Sequence, residues 1–271
     1  MWRAARDTNA LIEMLVLLQF TSGIEGRISA LMAARDSFEE FLPKVWTPEF
    51  AGVVRFAMNG GKFDVQRTEP DPARAIPEMR MSRVMPDGED EWLVWARGPF
   101  ISTHCHYYTR WSSVWPKMRD LLLRSSETVM DGSCEVSSVM VQYTDLFTWK
   151  GEGAPEHAAL LQKIGMPELQ RNRGLSENWH NHQGWFCDDS NELVERRLER
   201  VHIDSITLEG SPAVKIDNML RFDLATPAPN HATVWEVLDE VVPRCREMNK
   251  AVMRSLLAPA MVDQIGLDSE G

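Results

Sequence analysis

The feature that most constrains the fold is a series of short apolar runs, each closed by turn residues. Residues 11–20 (LIEMLVLLQF) form a near-continuous apolar run that stops at a Thr-Ser-Gly turn, a pattern typical of a buried strand. Residues 53–58 and 62–67 flank an Asn-Gly-Gly turn and predict a β-hairpin. Further strands are predicted over residues 79–85, 91–98, 100–108, 134–149, 198–210 and 213–226.

Three stretches have the spacing of apolar residues that amphipathic helices require: residues 24–44, 109–126 and 232–257. The two later helices each follow a run of strands, an order typical of α+β proteins with antiparallel sheets. The sequence therefore predicts two β-meander-plus-long-helix halves, residues 1–150 and 151–271, either as separate domains or as one continuous domain. The two strand-to-helix steps resemble each other, which leaves a pseudo-duplicated arrangement open.

Composition narrows the classes of partner. The chain has 271 residues and a hydrophobic fraction of 44%, which is enough to bury a core. Its formal net charge of −11 argues against nucleic-acid binding, because that binding requires positive charge. The first apolar run is too short to span a bilayer, and no membrane partner is predicted. Four scattered cysteines favour the reducing cytoplasm as the location.

Two His-x-His pairs are the main candidates for chemistry. His104 and His106 lie in FISTHCHYY, and His180 and His182 lie in NWHNHQGWFCDD, followed by Asp188. On an extended strand, side chains two residues apart share a face. Imidazole and carboxylate ligands suit zinc or manganese, so these five residues are candidate metal ligands. The alternative is that each pair occurs by chance on a strand or a polar loop.

Two further groups are open to either a functional or a structural interpretation. Asp204 and Asp217 lie on predicted neighbouring strands. They are either a pair of metal ligands or solvated side chains on the surface of the sheet. Cys105 stands between two histidines, either as an activated thiolate or as a buried structural cysteine. The aromatic residues Trp92, Trp95, Tyr107 and Tyr108 are candidate binding residues, because exposed aromatics are favoured at interaction surfaces.

The nucleophile elbow, the phosphate-binding loop and the zinc-protease helix motif do not occur in the sequence. No catalytic residue and no cofactor are therefore predicted from motifs.

Four segments together resemble a sporadically distributed bacterial family of roughly this length with no assigned function. They are residues 11–20, ISTHCHYYTRWSSVWPKM (101–118), VMVQYTDLFTW (139–149) and MNKAVMRSLLAPAMVDQIGL (248–267). The resemblance covers nearly the whole chain and implies no catalytic residues. A patchy distribution of that kind is typical of accessory or defence-associated genes.

Three functions follow as predictions. The preferred one is a non-catalytic cytoplasmic interaction or regulatory protein, an accessory component of a bacterial antiviral defence cassette, whose partner is another protein. The first alternative is a metal-dependent hydrolase or nuclease that uses the two His-x-His pairs. The second alternative is a small-ligand-binding protein with a pocket between the sheet and its long helices.

Overall fold

The computed structural model describes residues 1–6, 9–46, 53–59, 62–68, 78–130, 132–162, 179–188 and 192–267. The strands are β1 (Trp2–Ala4), β2 (Leu11–Phe20), β3 (Lys44–Trp46), β4 (Val53–Asn59), β5 (Lys62–Thr68), β6 (Glu78–Val84), β7 (Asp90–Arg97), β8 (Phe100–Cys105), β9 (Val136–Trp149), β10 (Trp179–Asp188), β11 (Val194–Leu208) and β12 (Ser211–Ala228). The α-helices are α1 (Ile28–Ala33), α2 (Trp111–Val129), α3 (His231–Leu256) and α4 (Pro259–Gln264).

One antiparallel sheet dominates the part of the chain that the structure describes. Its strand order is β10-β11-β12-β9-β2-β8-β7-β6-β3, with β1 paired to the end of β9. The hairpin of β4 and β5 forms a separate two-stranded sheet. The predicted α+β class with an antiparallel sheet is confirmed, and strands from both predicted halves meet where β9 pairs with β12.

Side-chain burial alternates along the central strands and distinguishes the two faces of the sheet. On β2, Met14, Val16 and Leu18 are buried, whereas Leu15 and Leu17 between them are half-buried. The buried set belongs to a hydrophobic core shared with α2 and α3, so we call this side of the sheet the helix face. The opposite side, which carries Leu15, Leu17 and the residues in register with them, is called the outer face.

The two long helices agree closely with their predictions. Helix α3 begins after Asn230, whose side-chain oxygen accepts a hydrogen bond of 3.0 Å from the Thr233 backbone N–H, as N-caps commonly do. Pro116 and Pro243 lie inside α2 and α3. Among the described residues, no helix is long and apolar enough to cross a membrane.

The prediction of one continuous helix over residues 24–44 is wrong. The structure has only the six-residue α1, flanked by 3₁₀ turns over Glu25–Arg27 and Arg35–Ser37. The Ser37 hydroxyl donates to the Ala34 carbonyl at 2.7 Å, a local bond that competes with helical continuation. The apolar side chains of the segment are instead buried against the core from separate short turns.

We expect Leu18→Ala to lower the free energy of unfolding by about 3–5 kcal/mol, because the fully buried side chain leaves a cavity in a close-packed core. Leu17→Ala is the matched control, since it makes the same deletion one residue away on the outer face, and about half that loss is expected. Urea unfolding of both variants measures the difference. Equal losses would contradict the assignment of the two faces.

Candidate active site

A hydrogen-bonded relay of three side chains lies on the outer face where β8 pairs with β2. The Ser102 hydroxyl is 2.9 Å from Nε2 of His104, and Nδ1 of His104 is 2.7 Å from Oε1 of Glu13. Ser102 and His104 share a face because they are two residues apart on one strand. The register that places His104 opposite Leu15 brings Glu13 within reach from the neighbouring strand.

The charge of Glu13 decides which nitrogen of His104 carries the proton. Burial raises the pKa of Glu13, but the hydrogen bond to His104 and the charges of His104, His106 and Lys215 outweigh it, so that the pKa lies below its usual value. An ionised carboxylate only accepts hydrogen bonds. In the neutral imidazole, Nδ1 of His104 therefore donates to Glu13 and Nε2 is left to accept from the Ser102 hydroxyl. The Ser102 oxygen lies closer to Nε2, at 2.9 Å, than to its other acceptor, the Trp95 carbonyl, at 3.4 Å.

The same residues allow a different interpretation as a metal site. The ligand atoms of Glu13, His104 and His106 lie within 4.8 Å of one another, and burial lowers the pKa of His106, which favours the neutral imidazole that metals need. However, both ring nitrogens of His104 already have partners. A cation would have to displace Ser102 or separate His104 from Glu13, so the geometry favours the relay.

An apolar groove opens beside the relay. It has a volume of about 380 Å³, and Ser102 and His104 form part of its wall. The other lining residues come from β2 and from the hairpin of β7 and β8: Leu15, Leu17, Trp95, Arg97, Gly98, Pro99 and Phe100. Gly98 has a φ of 55° in this hairpin, a conformation that glycine adopts without strain. The groove thus places an apolar surface next to a hydrogen-bonded serine.

The two His-x-His pairs lie on different parts of the sheet. His180 and His182 are on β10, as the extended interpretation predicted, but four strands separate β10 from β8. At about 4.8 Å per strand interval, the two pairs are about 24 Å apart along the sheet. Asp188 lies at the far end of β10, opposite Arg196. The five residues predicted as metal ligands therefore do not converge on one ion.

A second polar cluster surrounds the histidines of β10. His182 is in register with His202, and His202 with Asp217. The ligand atoms of His202, Asp204 and Asp217 lie within 4.8 Å of one another. Asp217 already receives a 2.8 Å hydrogen bond from Thr144 and lies 2.9 Å from Nζ of Lys215. The predicted pairing of Asp204 with Asp217 across neighbouring strands agrees with this arrangement, whereas His202 was missed.

The aromatic residues predicted to bind a partner occupy four different environments. Trp92 is buried in the core beside Phe41, so its side chain is not accessible to a partner at the surface. Trp95 lines the apolar groove, and Tyr107 is exposed under the guanidinium of Arg6. Tyr108 lines a separate cavity on the helix face.

Cys105 behaves as a structural cysteine. It is fully buried on the helix face, and burial raises the pKa of its thiol to about 12. A thiol with this pKa is not a nucleophile at neutral pH. The structure therefore favours the buried alternative for Cys105 over the activated thiolate.

Ser102 and Glu13 were not singled out from the sequence. The Ser-x-His spacing within FISTHCHYY was a usable signal, because it places both side chains on one face of a strand. Glu13 interrupts an otherwise apolar strand, which was a second signal. Neither pattern reveals that these two strands are neighbours.

Comparisons with known proteins leave the family of this chain open. No protein-family model, no curated protein and no solved structure matches it. The resemblance to a sporadic bacterial family therefore stays a prediction.

Proposed function

We propose that the protein is a serine hydrolase that cleaves esters of small apolar acyl groups. The observation that carries the proposal is the continuous Ser102–His104–Glu13 relay, with separations of 2.9 and 2.7 Å. Hydroxyl, imidazole and carboxylate in this order form the arrangement that activates a serine nucleophile on unrelated folds. The hydrolase class agrees with the first alternative from the sequence, but His104 acts as a base instead of a metal ligand.

The reaction follows from the positions of the three groups. Ser102 Oγ forms a bond to the ester carbonyl carbon while its proton moves to Nε2 of His104, and the carbonyl electron pair moves onto oxygen. When the tetrahedral species collapses, the bond to the alcohol oxygen breaks, and His104 returns the proton to that oxygen. Water then repeats the two steps on the acyl-serine and releases the carboxylic acid.

The groove supplies the remaining functions of such a site. Its apolar wall favours an aliphatic acyl chain, since each buried methylene contributes about 0.8 kcal/mol. Arg97 also lines the groove, where its guanidinium lies 3.6 Å from the carboxylate of Glu78. We assign to Arg97 the stabilisation of the developing oxyanion, because a nearby positive charge lowers the barrier to its formation. Glu13 acts through His104 and is a positioning residue.

A fluorophosphonate probe and a series of p-nitrophenyl esters test this proposal. We expect one covalent adduct per chain, located at Ser102, and hydrolysis rates that increase from the acetyl ester to longer acyl chains until the groove is filled. Failure of the probe to label the chain, together with ester hydrolysis that stops on chelation of metals, would support the metal-dependent hydrolase instead.

We also infer that the two halves form a pseudo-duplicated arrangement. The two similar units divide before β9 and not at residue 150: the first long strand of each unit, β2 or β9, lies at the centre of the sheet. The last strand of a meander, β8 or β12, pairs beside it, and a long helix, α2 or α3, follows. The strand order and the similar strand-to-helix steps support this inference.

The partner-binding function remains a second proposal. Among the described strands, β10 is the last one at its end of the sheet. Its Trp185 and Phe186 are exposed to 41% and 63%, and exposed aromatic residues on an edge strand favour association. We expect a partner protein to co-purify from native cells with the parent and with the Ser102→Ala control. The double variant Trp185→Ser/Phe186→Ser should no longer retain this partner. Retention of that partner by the double variant would contradict a role for this edge.

The cytoplasm stays the proposed location. All four cysteines are free thiols, which suits a reducing compartment. A role in an antiviral defence cassette stays a prediction based on the family resemblance.

A further inference from the structure

A cavity of about 220 Å³ with a mixed polar and apolar lining lies on the helix face, on the opposite side of the sheet from the relay. We call it the inner cavity. Tyr143 and Asp145 of β9 contribute to its wall, Trp111 is at the start of α2, and Arg246 and Lys250 are in the second half of α3. The inner cavity therefore lies where the sheet meets both long helices.

Two polar atoms of the inner-cavity residues lack hydrogen-bond partners although they are buried. They are the hydroxyl oxygen of Tyr143 and Oδ2 of Asp145. Tyr143 is 3% exposed and Asp145 is 5% exposed. Next to them, Asn218 donates to Asn249 at 2.8 Å, but its own side-chain oxygen is also unpartnered. Buried polar groups are satisfied in most proteins, so this concentration indicates a missing hydrogen-bonding group.

Asp145 is the acidic side chain among the residues that line the inner cavity. Among the described residues, no lysine, arginine or histidine forms an ion pair with it. Burial and the nearby charge of Asp217 raise the pKa of Asp145 to about 7. A bound ammonium group would reverse this effect, because an adjacent positive charge stabilises the ionised carboxylate.

Positive charges line another part of the same cavity. Arg246 stands over the ring of Trp111 at 5.3 Å, and both Arg246 and Lys250 approach the exposed carboxylate of Glu247 at 3.3 and 4.0 Å. Because that carboxylate is largely solvated, exchanging it for the carboxylate of a ligand costs little. The cavity thus combines a buried acidic group with a pair of basic side chains.

We propose that the inner cavity binds a small zwitterion of the amino-acid type. The ammonium group of the ligand donates to Asp145 and Tyr143, and its carboxylate pairs with Arg246 and Lys250. This site goes beyond the proposed esterase activity and does not depend on it, since the two sites lie on opposite faces of the sheet. It gives a location and a ligand chemistry to the small-ligand-binding alternative.

The size of the cavity restricts the ligand further. A water molecule takes up about 30 Å³ of liquid, so a volume of 220 Å³ has room for about seven water-sized groups. This corresponds to a ligand of about seven to ten non-hydrogen atoms. The smaller amino acids are of this size.

Isothermal titration of the full chain with each of the common L-amino acids tests the proposal. Primary amines and carboxylic acids of matched size form two control series, each with only one of the two charged ends. We expect at least one amino acid to bind with one site per chain, and the matched single-ended compounds to bind at least tenfold more weakly. Binding by no amino acid, or equally tight binding by the matched amine, would overturn the proposal.

Conservative variants locate the binding to the inner cavity. Asp145→Asn should weaken the bound amino acid about 10–100-fold, since it removes a charged hydrogen bond, and Tyr143→Phe should weaken it about tenfold, since it removes a neutral one. Ser102→Ala on the outer face is the control and should bind as the parent does. Unchanged affinity in both cavity variants, each shown to be folded by circular dichroism, would contradict this site.

Discussion

The Ser102→Ala variant is expected to lose fluorophosphonate labelling completely and to hydrolyse p-nitrophenyl esters at least about 1,000-fold more slowly. The hydroxyl at position 102 is the atom that forms the acyl intermediate, and alanine leaves His104 without a group to deprotonate. Because the variant removes only one oxygen, the fold should persist. The measurement is kcat/KM with the ester that the parent cleaves fastest.

Ser138→Ala is the matched control for this result. Ser138 is also a buried serine facing the outer side of the sheet, but its hydroxyl lies 3.2 Å from Oε1 of Gln19 and has no imidazole beside it. We expect Ser138→Ala to retain labelling and activity within about twofold, because the deleted hydroxyl bonds only to Gln19 and takes no part in the relay. Equal activity of Ser102→Ala and Ser138→Ala would remove Ser102 from the mechanism.

Glu13→Gln is expected to lower kcat by about 1,000–10,000-fold with little change in KM. Glutamine has nearly the same shape, but its amide N–H₂ is able to donate to Nδ1 of His104. His104 would then carry its proton on Nε2, and that nitrogen would no longer accept the proton of Ser102. The expected signature is a folded protein that binds ester normally but acylates slowly, with a changed pH profile and a changed imidazole tautomer by nitrogen NMR.

His106→Gln separates the relay from the metal interpretation of the same residues. In the relay, His106 lies 3.9 Å from Glu13 and its ring stacks on that of His104 at 5.8 Å. Neither contact carries the proton of Ser102, so activity should fall less than about tenfold. In a metal site, His106 is one of three ligands, and its loss should abolish both metal binding and activity. A large loss in His106→Gln that zinc restores would contradict the relay.

Sequence patterns predicted most of the elements because those patterns are local. The paired strands β4 and β5, the strand over 134–149 and the helix over 232–257 all appear with boundaries shifted by no more than a few residues, whereas the two glycines of the predicted turn lie outside the described residues. The paired histidines share a face on each strand, as period-two alternation requires. The short strands β1 and β3 and the helix α4 were not predicted. The predicted helix over residues 24–44 was wrong, since turn hydrogen bonds and packing against the core override helical spacing there.

The candidate sites could not be derived in the same way. Glu13 and His104 are 91 residues apart in the chain, and only the pairing of β2 with β8 brings them together. Likewise, the two His-x-His pairs look equivalent in sequence, yet the strand order separates them by about 24 Å. Ser102 was overlooked because a serine next to an apolar run is an ordinary strand residue until an imidazole is placed beside it.

By itself the sequence determined the α+β class, the positions of most strands and long helices, and the negative charge, because each depends on composition or on residues a few positions apart. Only the tertiary structure decided which strands are neighbours, and therefore that Ser102, His104 and Glu13 form a relay and that Tyr143 and Asp145 meet Arg246 in one cavity. Strand order and register are set by the packing of the whole core, and no local pattern carries that information.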